Sequence, residues 1–356
     1  MYLEMRWNRK WQISQRGKDR MNDLLKMRHV SVAYHTYNGV VQSVREVSFS
    51  IKEGQTVALV GESGCGKSVT AKSIMGLIKK PGQVSKESEI IFAGTDITKL
   101  SPAKLREFRG KECSMIFQDA LVSLNPTMKI GKQIIESLDN HMPELSKDVK
   151  RKRAIEMLQM TGIADAEQCL GKYPHELSGG MRQRVMIAIA LITHPKLLIA
   201  DEPTTSLDVT IQAQILKQMK ILQKQMGMAI FVITHDLGIV ADVADKVIVM
   251  YAGKIVEEGE CREIFYQPIH PYTKALLNSV PKLNVTGKQM LQAIDGSIPD
   301  MTNPPKGCAF CDRCPYVMKV CAKYIPEERS ASDTHKASCW LMDERVGRRR
   351  AENGKA

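Results

Sequence analysis

Residues 61–68 of this chain read Gly61-Glu62-Ser63-Gly64-Cys65-Gly66-Lys67-Ser68, which fits the phosphate-loop pattern G-x-x-x-x-G-K-[ST]. Glycines in such a loop let successive backbone N–H groups face one anion, and a following helix adds its positive N-terminal end. In this pattern the Lys67 ammonium reaches the β and γ phosphates of a nucleotide, and the Ser68 hydroxyl ligates Mg²⁺. The alternative is an incidental glycine-rich turn, but such a string arises by chance only about once per hundred chains.

The segments on either side of this loop alternate between apolar runs and helical patterns. Residues 56–60 form a continuous apolar run directly before the loop, and a helical pattern over 68–78 follows it. The alternation continues with apolar runs at 196–200, 229–233 and 246–250 and with helical patterns at 209–226 and 237–244. Strands that are apolar along their whole length are typical of a parallel sheet covered by helices on both faces. The sequence therefore predicts an α/β fold.

Changes in composition and in hydrophobic periodicity divide the chain into four segments. Residues 1–20 lack helical or strand periodicity and are predicted to be a basic N-terminal extension, before a larger domain over 21–265. Within that domain, strand patterns disappear over about 120–193 and amphipathic helical patterns at 130–138 and 147–160 replace them, which predicts a helical subdomain. Repeated prolines then mark a smaller C-terminal domain over 266–342, and residues 343–356 form a basic tail.

Charge and hydropathy limit the class of protein. The 51 Lys and Arg against 39 Asp and Glu give a net charge of +12, and most of this excess lies in the two terminal segments. Solvated tails are therefore favoured over a nucleic-acid-binding or membrane-binding surface. No apolar run approaches the roughly 20 residues that a transmembrane helix needs, and the basic N-terminus lacks the apolar core of a secretory signal. We expect a cytosolic protein.

Two other stretches could contact a nucleotide. Asp201 and Glu202 end an apolar run, so at the carboxyl end of a parallel strand they would face the phosphate site. There Asp201 could hold Mg²⁺ through water and Glu202 could polarise an attacking water, unless the pair only caps the next helix. Residues 177–181 open another helix, expected to start near Arg182, whose N–H groups offer a second anion site, although most such turns are only helix starts.

Together these stretches resemble the motifs of ATP-binding cassette (ABC) ATPases. The resemblance covers about residues 28–265 and includes a signature motif, a Q-loop glutamine, a D-loop and a switch histidine. These positions are, in that order, Leu177-Ser178-Gly179-Gly180-Met181, Gln118, Ser206-Leu207-Asp208 and His235. The resemblance implies a P-loop ABC ATPase fold, in which a RecA-like core carries an antiparallel β subdomain and a helical insertion, here followed by a small Cys-rich C-terminal extension.

The same resemblance implies the role of each site residue. The ATP-binding residues would be Tyr34, Gly61, Glu62, Ser63, Gly64, Cys65, Gly66, Lys67, Ser68, Gln118 and Asp201. Ser68, Gln118 and Asp201 would hold Mg²⁺, and the catalytic residues would be Glu202, His235 and Lys67. Tyr34, or Tyr37 as the alternative, would stack on adenine. The signature residues Leu177, Ser178, Gly179, Gly180 and Met181 would act on ATP bound by a partner ATPase, beside the D-loop Asp208.

Several further strings resemble bacterial dipeptide and oligopeptide importers. They are Ser123-Leu124-Asn125-Pro126, Tyr173-Pro174-His175-Glu176-Leu177 and His270-Pro271-Tyr272-Thr273, among others. One departure is Ala120, where the family usually has Pro. The resemblance implies an ATPase subunit at the cytoplasmic face of a bacterial membrane, working with a second ATPase, two membrane permeases and an extracytoplasmic substrate-binding protein.

The substrate and the class of partner have alternatives. Nickel or another small substrate is the alternative to peptides, because the substrate-binding protein and the permease make that choice. A soluble ABC ATPase that acts on nucleic acid or the ribosome is the rival function. Neither a long coiled-coil insertion nor a second cassette occurs in this chain, so no nucleic-acid partner is expected.

Five of the nine cysteines crowd into residues 308–339. Clustered thiols in a cytosolic protein suggest a metal, and soft thiolates suit Zn²⁺ or an iron–sulfur cluster. The importer family often carries Cys-x5-Cys-x6-Cys-x17-Cys here, which matches Cys308, Cys314, Cys321 and Cys339 and implies a [4Fe–4S] cluster with Cys311 as an alternate ligand. Zinc and free thiols are the alternatives, and His335 is either a zinc ligand or a polar surface residue.

Overall fold

Two β-sheets organise residues 22–118, 123–203, 208–279 and 294–346, the parts of the chain that this computed structural model describes. The smaller sheet is antiparallel, with strand order β2-β1-β5-β6 and with β4 also paired to β1. Its strands are β1 (Asp23–Thr36), β2 (Gly39–Lys52), β4 (Gly82–Val84), β5 (Glu89–Phe92) and β6 (Thr95–Asp96). Because β1 is paired on both sides, Tyr34 lies opposite Val41 and Gly82 and not on an edge strand.

The larger sheet has eight strands in the order β12-β13-β11-β10-β3-β9-β8-β7. They are β3 (Thr56–Val60), β7 (Cys113–Ile116), β8 (Leu197–Asp201), β9 (Ala229–Ile233), β10 (Lys246–Tyr251), β11 (Lys254–Glu260), β12 (Glu328–Ser330) and β13 (Lys336–Ser338). Five neighbouring strands of this sheet pair in parallel, in the order β10-β3-β9-β8-β7. All residues of β3, β8 and β9 are buried, as expected for a sheet covered on both faces.

Eleven α-helices occur in the described residues, and two of them have the predicted bounds. They are α1 (Lys67–Ile74), α2 (Pro102–Lys111), α3 (Ile130–His141), α4 (Lys147–Met160), α5 (Ala166–Cys169), α6 (Gly179–Leu191), α7 (Val209–Met226), α8 (Leu237–Val243), α9 (Cys261–Tyr266), α10 (Pro271–Asn278) and α11 (Lys319–Lys323). Helix α1 ends before the predicted residue 78, because Gly76 turns the chain with a φ of 58°. None of the helices in these ranges is long and apolar enough to cross a membrane.

A helical layer separates β7 from β8 in the chain, as the loss of strand patterns predicts. Helices α3 to α6 pack through apolar side chains that are fully buried, including Ile134, Leu138, Leu158 and Val185. Ser146 and Ser178 cap α4 and α6 by accepting hydrogen bonds from the backbone amides of Val149 and Met181. Capping by Ser178 begins α6 at Gly179 and fixes the orientation of the glycine pair.

The C-terminal residues extend the central sheet. Strand β13 pairs antiparallel with β11, and Ala337 lies opposite Glu257. Before this strand, Phe310 packs against Tyr251 of β10 and Tyr272 of α10, with ring centroids 5.2 and 5.4 Å away. This packing brings the cysteine-rich segment next to the carboxyl end of β3. The predicted boundary near residue 265 stays a prediction, and residues 280–293 lie outside the described parts.

Candidate nucleotide site

The loop between β3 and α1 adopts a conformation that needs glycine. Gly61 and Gly66 have φ values of 154° and 107°. A Cβ atom would lie 2.2 Å from the Met250 carbonyl oxygen at the first position and 2.3 Å from the Ser43 carbonyl oxygen at the second. Side chains are therefore excluded from both positions. The loop passes directly into the N-terminus of α1, where helical N–H groups favour an anion.

Lys67 lies inside this loop. Its ammonium Nζ donates to the carbonyl oxygens of Gly61 and Glu62, at 2.8 Å in each case, and only 5% of the residue is exposed. A buried cation held by two carbonyls places positive charge in the concavity that the loop amides form. The neighbouring Cys65 is also buried, and this burial raises the pKa of its thiol despite the nearby ammonium.

Ser68 and Asp201 meet at the carboxyl edge of the parallel sheet. The Ser68 hydroxyl donates to Asp201 Oδ1 at 2.9 Å, although the two residues are 133 positions apart. Burial raises the pKa of Asp201, and the Glu202 carboxylate adds to this effect while the Ser68 hydrogen bond opposes it. Two oxygen donors beside a phosphate loop fit the preference of Mg²⁺ for oxygen ligands.

Glu202 contacts two other residues that the sequence singled out. Its carboxylate accepts a hydrogen bond of 2.7 Å from Gln118 Nε2, and His235 Nδ1 lies 3.4 Å from its other oxygen. The backbone of Glu202 has a φ of 47°, a left-handed conformation that non-glycine residues seldom adopt. Its amide donates to the Ile233 carbonyl oxygen at 2.9 Å, which fixes this conformation against β9. Such strain is concentrated at functional sites in proteins.

The remaining predicted residues lie at helix ends and in the smaller sheet. Ser178 is the N-cap of α6, and Asp208 is the N-cap of α7, where it accepts from the Ile211 amide at 3.0 Å. The ring of Tyr34 is half-buried against Gly82, whereas Tyr37 is fully exposed in the turn that follows. Predictions for Ala120, Ser206 and Leu207 fall outside the described residues.

Comparison with known proteins decides the family. A sequence model of the ABC transporter family matches residues 44–205, and one of the oligopeptide/dipeptide transporter C-terminal region matches residues 256–321. The oligopeptide transport ATP-binding protein OppD of Bacillus subtilis is 54% identical over 323 residues, 91% of this chain and 90% of that protein. The chain belongs to the ABC transporter family, in the branch of the peptide transport ATP-binding proteins.

Other comparisons agree with this assignment. The dipeptide transport ATP-binding protein DppD of Bacillus subtilis is 50% identical over 326 residues, 92% of this chain and 97% of that protein. Among solved structures, the dimeric ATP-binding cassette MJ0796 with ADP and Pi has a TM-score of 0.60 at 28% identity, covering 67% of this chain and 99% of that chain. The predicted P-loop ABC ATPase fold is confirmed, and the protein is an ATPase.

The five C-terminal cysteines of this ABC ATPase lie close together. The Cys308 amide donates to the Cys321 carbonyl oxygen at 2.7 Å, and Cys311 and Cys314 occupy the turn that follows Cys308. Burial raises the pKa of the Cys308 thiol to about 12 and that of Cys339 to about 11, so a metal ion would have to displace their protons. No three His, Cys, Asp or Glu side chains within the described ranges are arranged to hold a metal ion. The donor set suits a thiophilic metal, and the iron–sulfur cluster stays a prediction.

His335 is not on the surface. Within the described residues, it also does not form with the thiols the arrangement that a zinc site needs. It is buried, and its Nε2 lies 2.7 Å from Glu257 Oε1. The same carboxylate accepts hydrogen bonds from the Ile269 and His270 amides at 2.7 and 2.8 Å. The expectation of a polar surface residue is wrong, because β13 carries the adjacent turn over the buried middle of β11.

One set of contacts at the ATP site has no counterpart in the motif analysis. The Arg313 guanidinium forms an ion pair with the loop carboxylate of Glu62 at 2.7 Å, and the Tyr272 hydroxyl accepts from the Glu62 amide at 2.8 Å. Tyr272 belongs to the His270-Pro271-Tyr272-Thr273 string, and Arg313 lies between Cys311 and Cys314. Both strings can be recognised in the sequence. Because they lie far from the loop along the chain, their contacts with Glu62 could not be predicted from local patterns.

Proposed function

We propose that this ABC ATPase energises the import of dipeptides or oligopeptides through a membrane permease, at the cytoplasmic face of a bacterial membrane. The observation that carries the proposal is the similarity to named peptide transport ATP-binding proteins along nine-tenths of the chain, including the C-terminal region. The contacts among Gln118, Glu202 and His235 support hydrolysis as the source of energy.

The proposed hydrolysis relies on positioning and electrostatics, as phosphoryl transfer generally does. Lys67 and the loop amides hold the β and γ phosphates, and Ser68, Asp201 and Gln118 would hold Mg²⁺, which would neutralise charge on the phosphates. Glu202 orients the attacking water, and His235 contacts the γ phosphate. The 3.4 Å separation of His235 and Glu202 lets both side chains face one reacting group.

A second ATPase subunit completes the site. We infer a head-to-tail pair in which Ser178 and Gly180, at the N-terminus of α6, contact the γ phosphate bound by the partner. The dimeric MJ0796 cassette with ADP and Pi supports such a pairing. Gln118 follows β7, where the chain leaves the parallel sheet for the helical layer, so its bond to Glu202 links the state of the nucleotide to α3–α6. These helices are the proposed contact for the permease.

The cysteine cluster is proposed to hold a [4Fe–4S] cluster through Cys308, Cys314, Cys321 and Cys339, with Cys311 as alternate ligand and Zn²⁺ as alternative metal. When bound, such a cluster would join thiols across residues 308–339 and would supply no redox step to ATP hydrolysis. Anaerobic purification with iron, sulfide and zinc analysis tests this: brown protein with about four iron atoms per chain is expected. A colourless protein with about one zinc per chain would contradict the cluster.

The transport role is tested by purifying tagged protein from gently solubilised membranes. We expect two polytopic permeases and a second cassette protein to co-purify, and the assembly's ATPase rate to rise with peptide delivered by its substrate-binding protein. Nickel in place of peptide tests the alternative substrate. The Glu202→Gln variant is the matched control, because it should assemble normally without hydrolysing ATP. Recovery of ribosomes or DNA-associated proteins with no permease would favour the soluble rival, which salt-dependent duplex or tRNA binding would support.

A further inference from the structure

Arg313 makes more hydrogen bonds than a surface ion pair requires. Its Nη1 and Nη2 donate to the two carboxylate oxygens of Glu62 at 2.7 and 3.0 Å. The other donors reach the Tyr251 hydroxyl at 3.2 Å, the Ile294 carbonyl oxygen at 3.0 Å and the Asp295 carbonyl oxygen at 2.8 Å. These five bonds equal the five N–H donors of a guanidinium, and the side chain is only 5% exposed. Arg313 is therefore held in one orientation towards the loop.

Glu62 is held at three points. Its carboxylate binds Arg313, its amide donates to Tyr272 Oη, and its carbonyl oxygen accepts from Lys67 Nζ at 2.8 Å. Arg313 and Tyr272 belong to the C-terminal segment, defined as residues 266–342, and the third contact is with the ammonium of the phosphate loop. A displacement of Glu62 would therefore move the carbonyl oxygen to which the Lys67 ammonium donates.

An aromatic cluster makes this support rigid. Tyr272 and Phe310 are at most 1% exposed, and the Arg313 guanidinium lies 5.7 Å from the Tyr251 ring centroid and 5.9 Å from that of Phe310. The guanidinium over these rings adds cation–π attraction to the bidentate contact, a combination that lysine cannot reproduce. The C-terminal segment consequently reaches the loop through well-packed, buried groups.

We propose that Arg313 and Tyr272 are positioning residues for ATP binding, which fix Glu62 and through it the phosphate loop and Lys67. The cysteine-rich segment is then part of the nucleotide site and not a separate appendage. The proposal depends on ATP binding by the loop and is independent of the transported substrate and of any bound metal.

The first test measures the dissociation constant of a fluorescent ATP analogue with Mg²⁺, together with kcat and KM for ATP. Arg313→Ala should raise the dissociation constant and KM about tenfold, with a smaller change in kcat, because a charged bidentate contact is lost. Arg313→Lys should restore part of the affinity. Arg329→Ala is the matched control: Arg329 pairs with Asp343 at 2.9 Å in the same segment, away from the loop, and its loss should leave ATP affinity unchanged.

A double-mutant cycle separates positioning from general stability. Glu62→Gln and Arg313→Ala remove the same contact, so the double variant should bind ATP no more weakly than Arg313→Ala alone. Tyr272→Phe keeps the buried ring and loses only the acceptor for the Glu62 amide, so it should fold normally and bind ATP several-fold more weakly. Wild-type affinity in both Tyr272→Phe and Arg313→Lys, or additive effects in the cycle, would overturn the proposal. Unfolding midpoints of all variants identify any loss of affinity that comes from misfolding.

Discussion

Glu202 shows how one side chain depends on three elements. It follows the last residue of β8, and its amide donates to a carbonyl oxygen of β9. Its carboxylate accepts a hydrogen bond from Gln118, which follows β7. Its backbone has a left-handed φ of 47°, and its carboxylate lies 3.4 Å from His235 Nδ1. A residue in this strained setting is well placed to orient water and poorly replaced by other side chains.

Replacing Glu202 by Gln should separate ATP binding from turnover. The amide keeps the size of the side chain but cannot polarise water as a carboxylate does, so the steady-state ATPase rate should fall at least about a hundredfold. The dissociation constant for ATP should stay within about threefold of wild type, since Lys67 and the loop are intact. Phosphate release and analogue binding measure the two quantities, and near-normal turnover would remove Glu202 from its role.

Glu257 is the second residue whose environment predicts a measurable effect. Burial alone would raise its pKa, but the hydrogen bonds to His335 and from the Ile269 and His270 amides outweigh burial and lower the pKa below the ordinary value of 4.5. A carboxylate with a lowered pKa stabilises the folded chain fully above pH 4.5, and this contribution is lost as the pH falls through the lowered value.

Glu257→Gln should therefore reduce the free energy of unfolding by about 3 kcal/mol at pH 7, because it breaks a buried pair. The difference from wild type should narrow as the pH falls below 4.5. Urea unfolding followed between pH 7 and pH 3 measures both effects. Glu328→Gln is the control, since the pair of Glu328 with Lys336 is exposed and should contribute less than about 1 kcal/mol at any pH. Equal effects of the two substitutions would contradict the buried-pair account.

At the scale of elements, the phosphate loop is tightly packed against the strands beside it. Gly66 faces the Ser43 carbonyl oxygen of β2, whereas nothing lies within 4 Å of a Cβ placed on Gly64. Both glycines have positive φ values, 107° and 80° respectively. The two positions share backbone strain and differ in steric surroundings.

Gly66→Ala should destabilise the protein more than Gly64→Ala. Strain alone costs about 1–2 kcal/mol at either position, and displacement of the Ser43 backbone adds about 1–3 kcal/mol at Gly66. Chemical unfolding of the two nucleotide-free variants compares these costs directly. Equal losses of unfolding free energy in the two variants would mean that the β2 backbone moves away freely. The close approach at Gly66 would then carry no energetic penalty.

Element positions were largely predictable because periodicity is a local property. The bounds of α4 and α7 and of β3 and β9 are as predicted. Departures occur where a specific contact ends or begins an element: Gly76 shortens α1, and the Ser178 cap begins α6 three residues earlier than expected. Capping and left-handed turns depend on single residues, which averaged hydropathy patterns register only weakly.

For the whole molecule, the continuation of the central sheet into β13 and the contact of Arg313 with Glu62 join the chain's C-terminal segment to its ATP site. Coupling between two such sites is reciprocal: if the C-terminal segment favours ATP binding, then ATP must favour the ordered C-terminal segment.

Hydrogen exchange should reveal this reciprocity. Binding of Mg²⁺ with a non-hydrolysable ATP analogue should slow amide exchange over residues 308–314 in the wild type but not in Arg313→Ala. Residues 328–338, which pair with the sheet away from the loop, serve as the internal control and should change little in either protein. The same protection of 308–314 in both proteins would show that the two regions communicate by another route.

The chemistry of the site was readable from the order of the residues, because phosphate and Mg²⁺ binding demand particular side chains at fixed short spacings. The glycine-rich loop, the carboxylates at the end of β8 and the family to which they belong follow from such local patterns. The pairing of Glu62 with Arg313 spans 251 positions, and that of Glu257 with His335 spans 78. These contacts depend on which strands become neighbours and on how the aromatic cluster packs, and both are set by burying apolar surface from the whole chain at once.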